Sequence, residues 1–392
     1  AEVKALGIKM GQPFFQVREL CKAEGVRVFS GDFELYSRLS RRVMELLREY
    51  GTAMEVYSID EAFIEVGELV GRCDLVEHAR KLRAAVLEKV GIPVSVGIAP
   101  TKVLAKIANE WAKTQTSSGV FSLEEISTRE KVLRELPVGE VWGIGHQSAE
   151  RLKKIKVFSA WDLAKAPSSV IQKTLSVAGA RIQLELKGTP CLNLHSTHEA
   201  AKSIQCTRSF GKPITHLDDL REAVASFTAR GCEKLREDSQ LAKRIGVYIR
   251  TSRFAKNTPQ YSASESVELP SPSDDTRVFA KAAETLLEKI YREGYAYKKA
   301  GIFLAQFEPK GTQTAELFSP KENPKNAKLM KIYDSLVSNF GRDKIFFAAS
   351  GTSRAWKGHS DHHGEGSSNI PMMEGKSAKT RDPNAPQIRF VS

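Results

Sequence analysis

The segment 55–66, EVYSIDEAFIEV, decides how the chain reads. Apolar positions alternate on either side of two adjacent carboxylates, Asp60 and Glu61, so two strand-like flanks meet at an acidic point. Neighbouring carboxylates repel. A solvated hairpin turn tolerates them, but a turn favours Gly or Asn and this one has neither. The flanks Ile59, Ala62, Phe63 and Ile64 are strongly apolar, which puts the pair on the rim of a buried sheet. Carboxylates clustered at the end of a sheet make sense where divalent cations neutralise them. Mg²⁺ takes oxygen ligands, usually one or two carboxylates plus substrate phosphates. Two such ions can hold both the attacking and the leaving oxygen of a phosphoryl transfer.

Outward from this point the pattern is α-β-β-α-β-α. Residues 1–31 read as one or two short helices ending in a strand, VRVFS. In 33–50 the spacing of Leu35, Leu39, Val43, Leu46 and Leu47 predicts an amphipathic helix, stopped by Gly51. Downstream come a helix over 74–90, a β-branched strand over 92–99 and a helix from Lys102 with Thr101 as N-cap. This order predicts an α+β domain with helices on an antiparallel sheet. After the polar linker 114–120, residues 122–198 read as a helical module. Residues 203–307 read as strand, helix, strand, strand, helix, strand: a small sheet with two helices on one face. A weak helix near 326–338 follows, and from Lys357 the composition predicts disorder.

With 392 residues and 41% hydrophobic content the chain has room for two to four domains with real cores. Its 59 Lys and Arg against 47 Asp and Glu leave a net charge of +12, which favours polyanionic partners, nucleic acid first. No apolar run is long enough to span a bilayer, and the start does not resemble a signal peptide. The five cysteines are scattered, without C-x-x-C or zinc-ligand spacing, as in a reducing cytosol. His359, His362 and His363 lie in Gly- and Ser-rich sequence that suits a tail better than a metal site.

Three further constellations carry possible chemistry. Lys102 and Lys106 sit on the first turns of a helix, whose N-terminal amides and dipole attract phosphate; a solvated helix face fits them equally. Trp142-Gly143-Ile144-Gly145, followed by Leu152 and Ile155, has the form of a helix-hairpin-helix. Its glycines would let backbone amides grip a DNA phosphate without reading sequence; the alternative is a plain helix–helix turn. Arg208 and Lys212 in TRSFGK, and Lys243, Arg244, Arg250 and Arg253 in KRIGVYIRTSR, mix cations with hydroxyls. They suit phosphate-backbone contacts, or the protection of an edge strand.

Taken together, YSIDEAF, VSVGIAPTKVLAKIAN, VWGIG and TRSFG, in this order and spacing over about residues 1–350, resemble the Y-family translesion DNA polymerases, and within them the UmuC-like branch. The resemblance implies a right-hand polymerase: fingers 1–31, palm 32–115, a helix-hairpin-helix thumb 116–198, a little finger 201–310 and a tail 311–392. It implies that Asp60 and Glu61 bind two Mg²⁺ ions, Asp60 bridging both and Glu61 on the ion that activates the primer hydroxyl. Lys4 and Lys106 would grip the incoming triphosphate, Gly143 to Gly145 a DNA phosphate, and Arg208 the template strand. It further implies an opening strand with a first metal-binding aspartate and a steric-gate aromatic ahead of Ala1, so the chain is expected to be N-terminally incomplete. Implied partners are primer-template DNA, dNTPs, a UmuD-like dimer, the sliding clamp and RecA, in an SOS response at the bacterial nucleoid. In TAELF (314–318) Leu317 and Phe318 keep the anchors of a clamp-binding motif without its glutamine in register, and the sequence from Lys357 departs from the branch. Two other classes stay open: a non-catalytic DNA-binding chain, and a helix-hairpin-helix nuclease.

Overall fold

A computed structural model describes residues 2–194, 201–255, 258–311, 324–342, 344–352 and 356, with the backbone of 388–391. The chain divides into two compact units, 1–198 with 362–392, and 199–361.

The first unit opens with α1 (Glu2–Ala5) and α2 (Phe14–Ala23), then α3 (Phe33–Leu47), β1 (Ala53–Val56) and β2 (Glu61–Glu65). There follow α4 (Leu75–Val90), β3 (Val94–Ile98), α5 (Lys102–Gln115) and β4 (Val120–Ser122). Asp32 caps α3 through Leu35 N–H, and Gly91 ends α4 in the left-handed region at φ 80°. The helices α3 and α4 bury Val43, Leu47, Leu82 and Val86 against Ile64, Val94 and Val96 of the sheet. Two expectations fail. VRVFS forms no strand. The sheet, ordered β1-β2-β9-β3-β4, is mixed rather than antiparallel: only β1 and β2 run antiparallel, and β9 (Ile388–Val391) lies parallel between β2 and β3. The cause is connectivity, since β3 and β4 are joined by a helical crossover, which parallel pairing requires. The expectation of disorder from Lys357 thus fails for 388–391, while 357–387, with His359, His362 and His363, lies outside the described residues.

The same unit ends in the expected helical module: α6 (Ile126–Glu135), α7 (His146–Lys154), α8 (Ala160–Lys165) and α9 (Ser168–Leu186). A capping box between Ser159 and Asp162 starts α8, and Ser176, at φ 65°, breaks α9 in two. Leu133, Leu152, Leu163 and Ile171 form its core, continuous with Val103, Leu104 and Ile107 of α5.

The second unit comprises β5 (Ser203–Ile214), α10 (Leu217–Glu237), β6 (Gln240–Thr251), β7 (Ser262–Ser273), α11 (Thr276–Ile290), β8 (Tyr297–Pro309) and α12 (Pro324–Phe340). The strands form an antiparallel sheet, β5-β8-β6-β7, with α10 and α11 packed on one face through Phe227, Leu235, Phe279 and Leu287. Helix α12 docks on α10: Met330 and Val337 are buried, Arg236 grips Asp334 twice at 2.7 Å, and Arg342 grips Glu233 at 2.6 and 2.9 Å. Burial disfavours the Glu233 carboxylate, yet Arg342 and Arg230 hold its pKa below the ordinary range. Cys206 and Cys232 are buried here, and burial raises both thiols, Cys232 to about 12. In the first unit Cys73 is exposed and Cys191 half-buried.

Candidate active site and nucleic-acid interface

Strands β1 and β2 pair as a hairpin in the register Val56↔Ala62 and Glu55↔Phe63, which leaves 57–60 as its turn. The amides of Tyr57 and Ser58 both donate to the Glu61 carbonyl at 3.0 Å, and Ser58 Oγ donates to Asp60 Oδ1 at 2.6 Å. Asp60 is therefore exposed in the turn, and Glu61 is the first residue of β2. The hairpin turn and the rim of a buried sheet are both correct descriptions of this one feature.

Helix α5 lies across the sheet and supplies the opposing charge. Its close approach depends on Gly97: a Cβ there would stand 2.2 Å from Asn109 N and 2.5 Å from Ala105 O. Asn109, 2% exposed, donates to Ser95 O at 2.8 Å and so ties helix to strand. Lys106 Nζ then meets Glu61 Oε1 at 2.6 Å, with both side chains about one-seventh exposed (15% and 13%). Its neighbour one turn earlier differs. Lys102, 8% exposed, donates to Glu55 Oε2 at 2.5 Å and to Asn193 O at 2.8 Å.

The start of α5 is partly satisfied from within the protein. Thr101 caps the helix through Leu104 N–H, as read from sequence. The amide of Val103 donates to Glu185 Oε2 at 3.2 Å, and Glu185 Oε1 also accepts from Cys191 N and Leu192 N. Glu185 is fully buried, so an internal carboxylate meets one of the first amides of α5. No spacing in the sequence links Glu185 or Glu55 to this helix; both arrive from distant elements.

Gly143 to Gly145 lie between a three-residue 3-10 turn, Val138–Glu140, and α7. Gly143 is left-handed at φ 92°, and a Cβ on it would press on Ile182 Cδ1 at 2.7 Å. Gly145 is the N-cap of α7, contributes no capping side chain and has open space where its Cβ would be. The first amides of α7 thus have no cap from Gly145, the arrangement that suits an anion. Trp142 stacks edge-on against Tyr57 at 5.4 Å, a contact missed in the sequence because 85 residues separate them.

In the second unit the register sorts the cations. Ser209, Lys299, Arg250 and Ser262 align in one row across the sheet; Thr207, Gly301, Tyr248 and Ser264 form the next. Ile245, Val247 and Ile249 point to the helices, so these rows make the opposite, open face. Arg208 has the other parity, shared with Cys206 and Phe210, and emerges exposed at the edge strand. It therefore stands off the row of Arg250 by one residue of register. Lys212 is exposed on β5 and Arg253 in the turn after β6. Lys4 lies exposed on the four-residue α1, and Leu317 and Phe318 fall outside the described residues. Among the described residues, no group of three or more His, Cys, Asp or Glu is placed to hold a metal ion. No helix among them is long and apolar enough to cross a membrane.

A Y-family DNA polymerase chimera of Dbh and Dpo4 superposes with a TM-score of 0.61 at 23% identity, over 79% of this chain and 86% of that one. The fold is that of a Y-family polymerase, mixed helix and sheet. Models of the impB/mucB/samB family and of its C-terminal domain match residues 1–110 and 201–317, and a domain of unknown function, DUF4113, matches 327–364. Protein UmuC of Salmonella typhimurium is 39% identical over 361 residues, covering 91% of this chain and 85% of that protein. DNA polymerase IV of Bacillus velezensis is 25% identical over 352 residues, 88% and 81% of the two chains. The chain belongs to the impB/mucB/samB family and is UmuC-like.

Proposed function

We propose that this chain carries out DNA-directed DNA synthesis past damaged template, adding a dNTP to a primer 3′-hydroxyl. The observation that carries the reading is the Asp60–Glu61 turn facing Lys106 and braced on the glycine hairpin. Both carboxylates are hard oxygen donors at a sheet rim, and one or two such groups plus substrate phosphates are what Mg²⁺ accepts, so the residues fit a divalent cation. Asp60 and Glu61 would hold it, bridged further by the triphosphate. Bound there, the cation would lower the pKa of the primer hydroxyl and neutralise developing phosphate charge, in a two-metal site if a second ion joins.

The chain's own residues have separable tasks. Lys106 balances Glu61 and offers a cation to the triphosphate, as Lys4 would from α1. The α7 amides after Gly145 hold a DNA phosphate by backbone, which grips any sequence. Arg250 and Lys299, among hydroxyls on the open sheet face, with Lys212, Arg208 and Arg253 near its edges, contact the backbone of the duplex. We further infer an SOS setting, in which a UmuD-like dimer, RecA and a clamp gripping Leu317 and Phe318 are partners. In this reading residues 1–31 are the fingers, 32–115 the palm, 116–198 the thumb and 201–310 the little finger.

One observation favours a second reading, DNA binding without catalysis: among the described residues no third acidic ligand joins Asp60 and Glu61. Primer extension separates the two. The protein extends a primer opposite an abasic template site in Mg²⁺. Asp60→Ala reduces this by at least about a thousandfold while leaving DNA binding in place. Extension that survives Asp60→Ala combined with Glu61→Ala overturns the polymerase reading. Binding without any extension supports the second.

A further inference from the structure

Three aromatic rings join the glycine hairpin to the acidic turn. Trp142, the residue before Gly143, packs at 5.4 Å and 81° on Tyr57 and at 5.8 Å on Phe63, while Tyr57 and Phe63 meet edge-on at 5.9 Å. Trp142 Nε1–H donates to the Tyr57 hydroxyl at 3.4 Å. Tyr57 is also the first residue of the acidic turn, its amide bonded to the Glu61 carbonyl. Lys106 Nζ lies 6.0 Å from the Tyr57 ring, and Lys102 Nζ lies 5.0 Å from the Phe63 ring. Phe63 is 1% exposed and fixed in β2, so it is the rigid member of the three. Tyr57 is 46% exposed.

We propose that Trp142 and Tyr57 are positioning residues that couple DNA capture at Gly143–Gly145 to the geometry of the turn carrying Asp60 and Glu61. This rests on the hairpin being a DNA-phosphate site. A phosphate that orders the backbone of 143–146 fixes Trp142, whose ring holds Tyr57, and with it the two amide bonds that close the turn. Edge-on aromatic packing constrains direction as well as distance, so a small shift of one ring re-aims the other. The carboxylates then reach their working arrangement when DNA is present, and the coupling is reciprocal. Charge alone would not need this bridge, since Lys106 already balances Glu61 without contacting the hairpin.

Hydrogen–deuterium exchange of the full chain, with and without a short primer-template duplex, tests the bridge at the amides of Tyr57 and Ser58. DNA slows their exchange by about fivefold or more in the wild type, the lower end of ordinary site-to-site coupling. In Tyr57→Phe, which removes only the hydroxyl, the slowing is reduced; in Trp142→Ala it is lost, although fluorescence anisotropy still records duplex binding. Slowing that persists undiminished in both variants overturns the bridge, as does its absence in a wild type that binds DNA. A wild type that does not bind the duplex overturns the hairpin reading on which the bridge rests. If Trp142→Ala does not fold, Tyr57→Phe decides alone: undiminished slowing overturns the coupling and reduced slowing upholds it.

Discussion

Lys102 and Lys106 stand one turn apart on α5 and face different fates. Lys102 is sealed between Glu55 and the Asn193 carbonyl, whereas Lys106 reaches the rim and Glu61. Removing one partner of a buried pair strands the other charge in a low dielectric. Lys102→Met is therefore expected to cost about 3 kcal/mol, read as a lower urea midpoint for the first unit. The double change Glu55→Gln with Lys102→Met recovers most of that loss, because no buried charge is left behind. On the proposed role of Lys106, Lys106→Met is expected to weaken nucleotide affinity, read as a raised KM for dNTP. The four-residue spacing of the two lysines was legible in the sequence. Which one is structural was not, because Glu55 lies 47 residues away.

At the scale of elements, the approach of α5 to β3 and of α12 to α10 show two ways of fixing a helix. The first is steric. Gly97→Ala would drive a methyl into the α5 backbone, so overpacking is expected to cost about 3 kcal/mol and lift Lys106 away from Glu61. Chemical denaturation gives the first quantity and primer-extension KM for dNTP the second. The attachment of α12 adds ion pairs to the burial of Met330 and Val337, and that part answers to pH. Glu233 has a folded pKa held below its ordinary value, so its contribution is fully present above about pH 4.5 and is lost as pH falls through the depressed folded value. Amide exchange across 324–342 is expected to accelerate as pH falls below about 4.5, before the central strands of the second unit respond. Helix periodicity made every one of these helices readable. The sheet order of the first unit was not, since β9 comes from nearly 300 residues downstream of β3 and no local pattern encodes such a pairing.

For the molecule as a whole, the excess of 12 positive charges governs affinity more than any single contact. Duplex binding is expected to weaken steeply between low and moderate salt, and Arg250→Ala to lower the slope of log K against log salt by about 1 without altering sequence preference. An unchanged slope would remove Arg250 from the interface. The alternation of charge and hydroxyl on β6 made this face legible. The parity of Arg208 was not legible in the same way, because a one-residue difference moves a side chain to the other face of a sheet.

The thiols give this architecture a practical asymmetry. Cys73 is open to solvent and Cys191 partly so, both in the first unit, while Cys206 and Cys232 of the second are buried with raised pKa values. Because only the thiolate attacks, a maleimide dye at neutral pH marks the first unit and spares the native second. One engineered surface cysteine on the second unit would then give a donor–acceptor pair, with Cys191 replaced by Ser. The distance between the two units could be followed by fluorescence as DNA is engaged, from a labelling pattern the fold already provides.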